Sequence, residues 1–179
     1  PAPLAILNCI EQGFALPINQ ALEAEMHIFA DLIQRREPRN MIRTLFTAKQ
    51  ERDRANKAGG VPEPVKRAAA SIGAILTQSL ARDPELAAAL HRAGFRIAAP
   101  QKAEAVAATS EYWFESAPED SQKAQIRALL NALTTSARDL KDTLSGEQER
   151  IADLILVEEY GFPAYLGGPF ALAGDAKSD

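Results

Sequence analysis

The stretch Ile126-Arg127-Ala128-Leu129-Leu130-Asn131-Ala132-Leu133-Thr134-Thr135-Ser136-Ala137-Arg138-Asp139-Leu140 places apolar residues at 126, 129, 130, 133, 137 and 140. Steps of three and four put those side chains on one stripe of a 3.6-residue helix, and no strand pattern fits them. Leu22, Met26, Phe29 and Ile33 repeat the spacing near the other end of the chain. Sustained alternation of period two is hard to find, so the expected fold class is all-α: a multi-helix bundle.

Punctuation divides the chain into helices. The pattern predicts a helix over 3–13 ended by Gly13, and another over 17–36 with Pro17 in its first turn. Pro38 is expected to separate the latter from a helix over 39–57. Gly59, Gly60, Pro62 and Pro64 make the clearest internal break and the best candidate linker, because glycine loosens the backbone and proline withholds a donor. Helices over 63–81 and 84–93 follow, the second capped by Asp83 and stopped by Gly94. The alanine-rich 101–116 is predicted helical, and Pro118 opens a helix reaching 142. Ser145-Gly146-Glu147-Gln148 has capping-box spacing ahead of the last long helix. The chain then ends in Tyr160-Gly161-Phe162-Pro163-Ala164-Tyr165-Leu166-Gly167-Gly168-Pro169-Phe170, read as a compact nonrepetitive loop.

Bulk properties narrow the function classes. At 179 residues and 46% hydrophobic, one domain with a real core is the default. Twenty basic against twenty-four acidic residues supply no global attraction for nucleic acid or an anionic membrane. There is no apolar run of about 18 residues and no signal-peptide pattern, and the lone Cys9 sits in an apolar stretch, so a structural thiol in the cytoplasm is expected. A start at Pro1 without methionine is expected of a processed or excised piece of a longer protein.

Chemistry-bearing patterns are sparse. His27 and His91 stand apart with no cysteine cluster to complete a metal's ligands, and no phosphate-binding glycine loop or nucleophile elbow occurs. Glu23 and Glu25 are two apart and face different directions on a helix, so with Glu11 they are assigned no catalytic role. Residues 35–57 hold eight Lys or Arg against three acids, whereas 139–159 hold seven acids against two basic residues. A solvated face, mutual attraction of the two ends of the chain, and an anion site at Arg43, Lys49 and Arg52 all fit that imbalance.

Two sets of residues carry a resemblance. Ala5 through Cys9-Ile10-Glu11-Gln12-Gly13, Pro17, Ala21-Leu22-Glu23-Ala24-Glu25, Phe29-Ala30-Asp31-Leu32 and Met41-Ile42-Arg43-Thr44-Leu45-Phe46 resemble the end of the enoyl-CoA hydratase module of multifunctional fatty-acid oxidation proteins. The terminal Tyr160–Phe170 stretch resembles the loop closing the 3-hydroxyacyl-CoA dehydrogenase portion of the same proteins. On this view 1–179 is a single helical domain, 1–57 hydratase-like and 61–179 a helical region with a dehydrogenase-like terminal loop. The NAD-binding domain that lies between the two landmarks in the family has no counterpart here, and neither does either catalytic centre.

The resemblance implies a helical portion that packs, oligomerises or positions an acyl-CoA, with catalysis supplied by other domains or chains. It implies no cofactor of the chain's own and a coenzyme A thioester as candidate ligand, with Arg43, Lys49 and Arg52 around a CoA phosphate. The alternative reading is a stand-alone interaction scaffold, docking another copy or another protein through Tyr160, Phe162, Tyr165 and Phe170; Tyr112-Trp113-Phe114 could serve as a further anchor, but such a consecutive aromatic trio is more often partly core.

Overall fold

A computed structural model describes residues 2–96 and 120–175. Among the described residues every regular element is helical, in agreement with the all-α expectation. The helix predicted over 101–116, the opening of a helix at Pro118 and the aromatic trio at 112–114 lie outside them.

α1 (Ala2–Gly13) and α2 (Ile18–Ile33) pack on each other across a four-residue connection. The Leu16 N–H donates to the Gly13 carbonyl at 3.1 Å, closing the turn. Pro17 precedes the first helical residue of α2, where its missing N–H costs nothing.

Pro38 does not divide helices as expected. The break comes earlier, at Gln34 and Arg35, and α3 (Arg36–Met41) carries Pro38 as its third residue. A first-turn N–H has no intrahelical acceptor, so proline is harmless there. α3 runs on through a π-helical segment, Ile42–Thr47, into α4 (Ala48–Lys57). This rod buries Asn40, Thr44, Ala48 and Glu51 in succession, the first three each four apart across the π-helical segment. A 3.6-residue turn would rotate them steadily off one line; the wider i→i+5 winding holds them closer to register.

After α4 the Gly60 N–H returns to the Ala55 carbonyl at 2.9 Å, the long bond of a Schellman ending. The Gly-Pro break is thus a tight reversal into α5 (Glu63–Arg82), whose Val65, Ala69, Ile72 and Leu76 are buried. The Asp83 carboxylate accepts from the N–H groups of Glu85 and Leu86 at 3.0 and 2.9 Å and starts α6 (Pro84–Arg92). α7 (Asp120–Leu140) follows the undescribed stretch and ends in a short 3-10 turn, Lys141–Thr143.

α8 (Gly146–Glu159) begins with the expected capping box: Ser145 Oγ accepts from the Gln148 N–H at 3.3 Å, and Gln148 Oε1 from the Ser145 N–H at 3.0 Å. Its residues 151–156 are all buried, so α8 is the central element, packed against α4, α5 and α9 (Pro169–Asp175). The terminal stretch is partly helical, with a 3-10 turn at Ala164–Leu166 and with Phe170 already inside α9.

Candidate functional site

The terminal stretch is sealed into the bundle. Phe162 and Phe170 belong to the core, and the Phe162 ring meets Phe95 edge-on at 5.2 Å between centroids. Tyr165 donates its hydroxyl to the Ala93 carbonyl at 2.6 Å, and the Arg96 N–H donates to the Gly161 carbonyl at 2.7 Å. Burial raises the Tyr165 phenol above its ordinary pKa, helped by the negative charge of Glu37. Tyr160 is half-buried against the core. The four aromatics expected as an exposed docking surface therefore turn inward, because the glycines between them let the chain fold tightly enough to bury the rings.

Two of those glycines are obligatory. Gly161 has φ 70°, and a Cβ there would lie 1.8 Å from the Arg96 carbonyl oxygen. Gly168 has φ 110°, and a Cβ there would lie 2.3 Å from the Asp153 carboxyl carbon.

Asp153 is the organising charge. It is fully buried on α8 and accepts three hydrogen bonds: from Arg43 Nη1 at 2.7 Å, from the Phe170 N–H at 2.9 Å and from the Ala171 N–H at 3.1 Å. The last two are first-turn donors of α9, so a side chain remote in sequence caps that helix. Burial raises its pKa from 3.8 to about 6, against the opposing pull of the Arg43 charge and of the three donors.

Around this carboxylate the N-terminal rod grips the terminal loop through polar groups. Arg43 Nη1 also reaches the Gly167 carbonyl at 3.2 Å, Thr44 Oγ1 donates to the same oxygen at 2.9 Å, and Asn40 Nδ2 donates to the Tyr165 carbonyl at 3.1 Å. Farther along α4, Glu51 takes a two-pronged contact from Arg150, with Nε at 2.8 and 3.0 Å from its oxygens. Arg52 pairs with Glu158. The basic 35–57 segment and the acidic 139–159 segment thus attract one another within the chain. Among described residues no buried side-chain polar atom lacks a partner.

The three residues expected around a CoA phosphate are not equivalent. Arg43 and Arg52 already hold carboxylates, while Lys49 is exposed and makes no ion pair with the described residues. Arg52 also borders a cleft of about 300 Å³ with Lys66, Ile155, Glu159 and Tyr160. Asp153 went unnoticed in the sequence; its signal is a single acid inside Ile151-Ala152-Asp153-Leu154-Ile155-Leu156, where a charge needs a buried partner.

The opposite situation holds at the N-terminus. From residue 3 to residue 47 the only buried side chains are Asn40 and Thr44. Every exposed large apolar side chain among the described residues falls between Leu4 and Phe46, with Phe14 92% and Met26 66% exposed. The helical stripe Leu22, Met26, Phe29 and Ile33, which periodicity marks as a buried face, is open. Among described residues no helix is long and apolar enough to cross a membrane.

Among the described residues, fold and site define an all-helical bundle whose C-terminal loop is locked inside and whose N-terminal hairpin keeps its large apolar side chains exposed. Over 81 residues, 45% of its length, the chain is 28% identical to the fatty acid oxidation complex subunit alpha of Shewanella oneidensis. The subunits of Shewanella putrefaciens and Shewanella baltica show the same identity over the same length. That stretch is 12% of each relative, so the chain corresponds to a small part of those proteins. No family profile and no solved structure matches.

Proposed function

We propose that this chain is a helical packing and docking portion of a fatty-acid β-oxidation protein of the 3-hydroxyacyl-CoA dehydrogenase family, with catalysis supplied by other domains or chains. The observation that carries the reading is the division of apolar surface: a terminal loop sealed by the Asp153 network and a hairpin whose large apolar side chains stay exposed among the described residues. An apolar face of this size implies a partner surface. The similarity to the fatty acid oxidation complex subunit alpha supports a β-oxidation setting, and a cytoplasmic location belongs to the same reading.

The test is turnover by the isolated chain. No enoyl-CoA hydration and no NAD-dependent oxidation of 3-hydroxyacyl-CoA is expected; appreciable rates of either overturn the proposal.

The cleft beside Arg52 favours a second reading, coenzyme A binding with a phosphate near Arg52 and Lys66. Arg43, Lys49 and Arg52 remain its candidate residues, though Arg43 and Arg52 would have to exchange a carboxylate for the phosphate. Calorimetry with CoA and its dephospho form decides: absent or identical binding removes the phosphate assignment.

A further inference from the structure

We infer that the uncovered hairpin is covered by a second copy of this chain, in a two-fold pair in which α2 of each copy lies along the Arg35–Phe46 segment of the other. This inference rests on the docking reading above and names its partner.

The extent of the surface is the first argument. Exposed large apolar side chains recur from Leu4 to Phe46, each at least 40% open to solvent, and extended exposed apolar surface marks an interaction site. One side of a stable interface buries about 800 Å². The stripe Leu22, Met26, Phe29 and Ile33 on α2 and the exposed Met41 and Phe46 beyond it are two apolar strips on one arm, which two-fold symmetry sets against each other twice.

Charge selects the occupant. Residues 2–33 contain Glu11, Glu23, Glu25 and Asp31 and no Lys or Arg. None of these acids makes an ion pair with the described residues. The following segment carries Arg35, Arg36, Arg39, Lys49, Arg54 and Lys57, and they too are unpaired with the described residues, because Asp153 and Glu158 take only Arg43 and Arg52. Hairpin on hairpin would set acid against acid. Hairpin against the basic segment of another copy matches both charge and apolar surface, and such rim pairs fix register more than they add affinity.

Light scattering with sedimentation on the whole chain tests this in two arms. The wild type is expected to be dimeric at low micromolar concentration, with a Kd that rises roughly tenfold or more as salt screens the exposed pairs. Two charge-reversed chains form the second arm, one carrying E23K, E25K and D31K and the other R35E, R36E and R39E. Each alone is expected to be monomeric with wild-type helical content. Mixed in equal amounts they should form a heterodimer, since the reversed hairpin then faces the reversed segment and the native hairpin faces the native one. A monomeric wild type, dimers that persist in both reversed chains, or a mixture that stays monomeric overturns the inference. None of these outcomes bears on turnover by the isolated chain, so the two proposals fail separately.

Discussion

Arg43 and Asp153 lie 110 residues apart in sequence and meet at 2.7 Å, Nη1 to Oδ2, with the carboxylate fully buried and the guanidinium side chain 25% exposed. This contact joins the N-terminal rod to the one charge on which the start of α9 and the terminal loop both depend. Removing Arg43 strands the Asp153 carboxylate where water cannot reach it.

Arg43→Ala is therefore expected to cost about 3–5 kcal/mol at pH 7, the range for leaving a buried charge unpaired. Because Arg43 holds the Asp153 pKa down, the variant's carboxyl should titrate above the wild-type value of about 6. Its stability deficit should then shrink as pH falls from 7 to 5. Urea unfolding at the two pH values measures this; a deficit that is small, or that grows on acidification, contradicts the assigned role.

The Asp153 titration gives a second outcome with a definite sign. Its folded pKa of about 6 lies above the ordinary carboxyl value of 3.8, so between these values the folded state holds a proton that the unfolded state lacks. The contribution is fully present below pH 3.8 and is lost as pH rises through 6. Asp153→Asn removes it, and the amide N–H₂ would meet Arg43 or a backbone N–H donor to donor. The variant should be less stable by about 1–3 kcal/mol at neutral pH, and the gap to wild type should widen by about 1 kcal/mol on going to pH 5. Parallel pH profiles for the two proteins would show that Asp153 does not titrate in this way.

How much of this was legible beforehand follows from the range of each interaction. The caps at Asp83 and Ser145, the existence of a break after Ala58 and the α5 stripe are local rules and readable, whereas the candidate linker there is a tight reversal closed by the Gly60-to-Ala55 bond. Pro38 was misplaced because proline marks a first turn as well as a boundary. The π-helical winding at Ile42–Thr47 answers to the register of Asn40, Thr44 and Ala48 against elements far along the chain, which no short window contains. Periodicity showed that α2 has an apolar stripe, but a stripe does not say what covers it. The charge imbalance between 35–57 and 139–159 leaves attraction between them as one of three readings, and the particular pairs that decide it depend on the bundle.

Gly161→Ala should be among the most damaging single-methyl changes in the chain. The added Cβ would sit 1.8 Å from a backbone oxygen of Arg96, so no side chain can swing aside, and φ 70° disfavours alanine in any case. A loss of at least about 3 kcal/mol is expected, with release of Phe162 from Phe95. Thermal unfolding with near-ultraviolet circular dichroism reads both. A variant within ~0.5 kcal/mol of wild type would mean that the loop can shift freely.

The open stripe predicts an inverted response to hydrophobic substitution. Met26→Gln and Phe29→Gln each remove a large apolar group, yet both side chains are more than half exposed and bury no core. Each should change the monomer's unfolding free energy by no more than ~0.5 kcal/mol. Ile72→Ala, deleting a side chain 1% exposed in α5, should cost about 2–5 kcal/mol. Measured at submicromolar concentration, where association adds little to stability, the contrast isolates the hairpin from the bundle. As concentration rises the two Gln variants should fall behind wild type, because association stabilises only the chain that associates. If they are instead destabilised at every concentration by as much as Ile72→Ala, the hairpin packs against the chain's own core in solution.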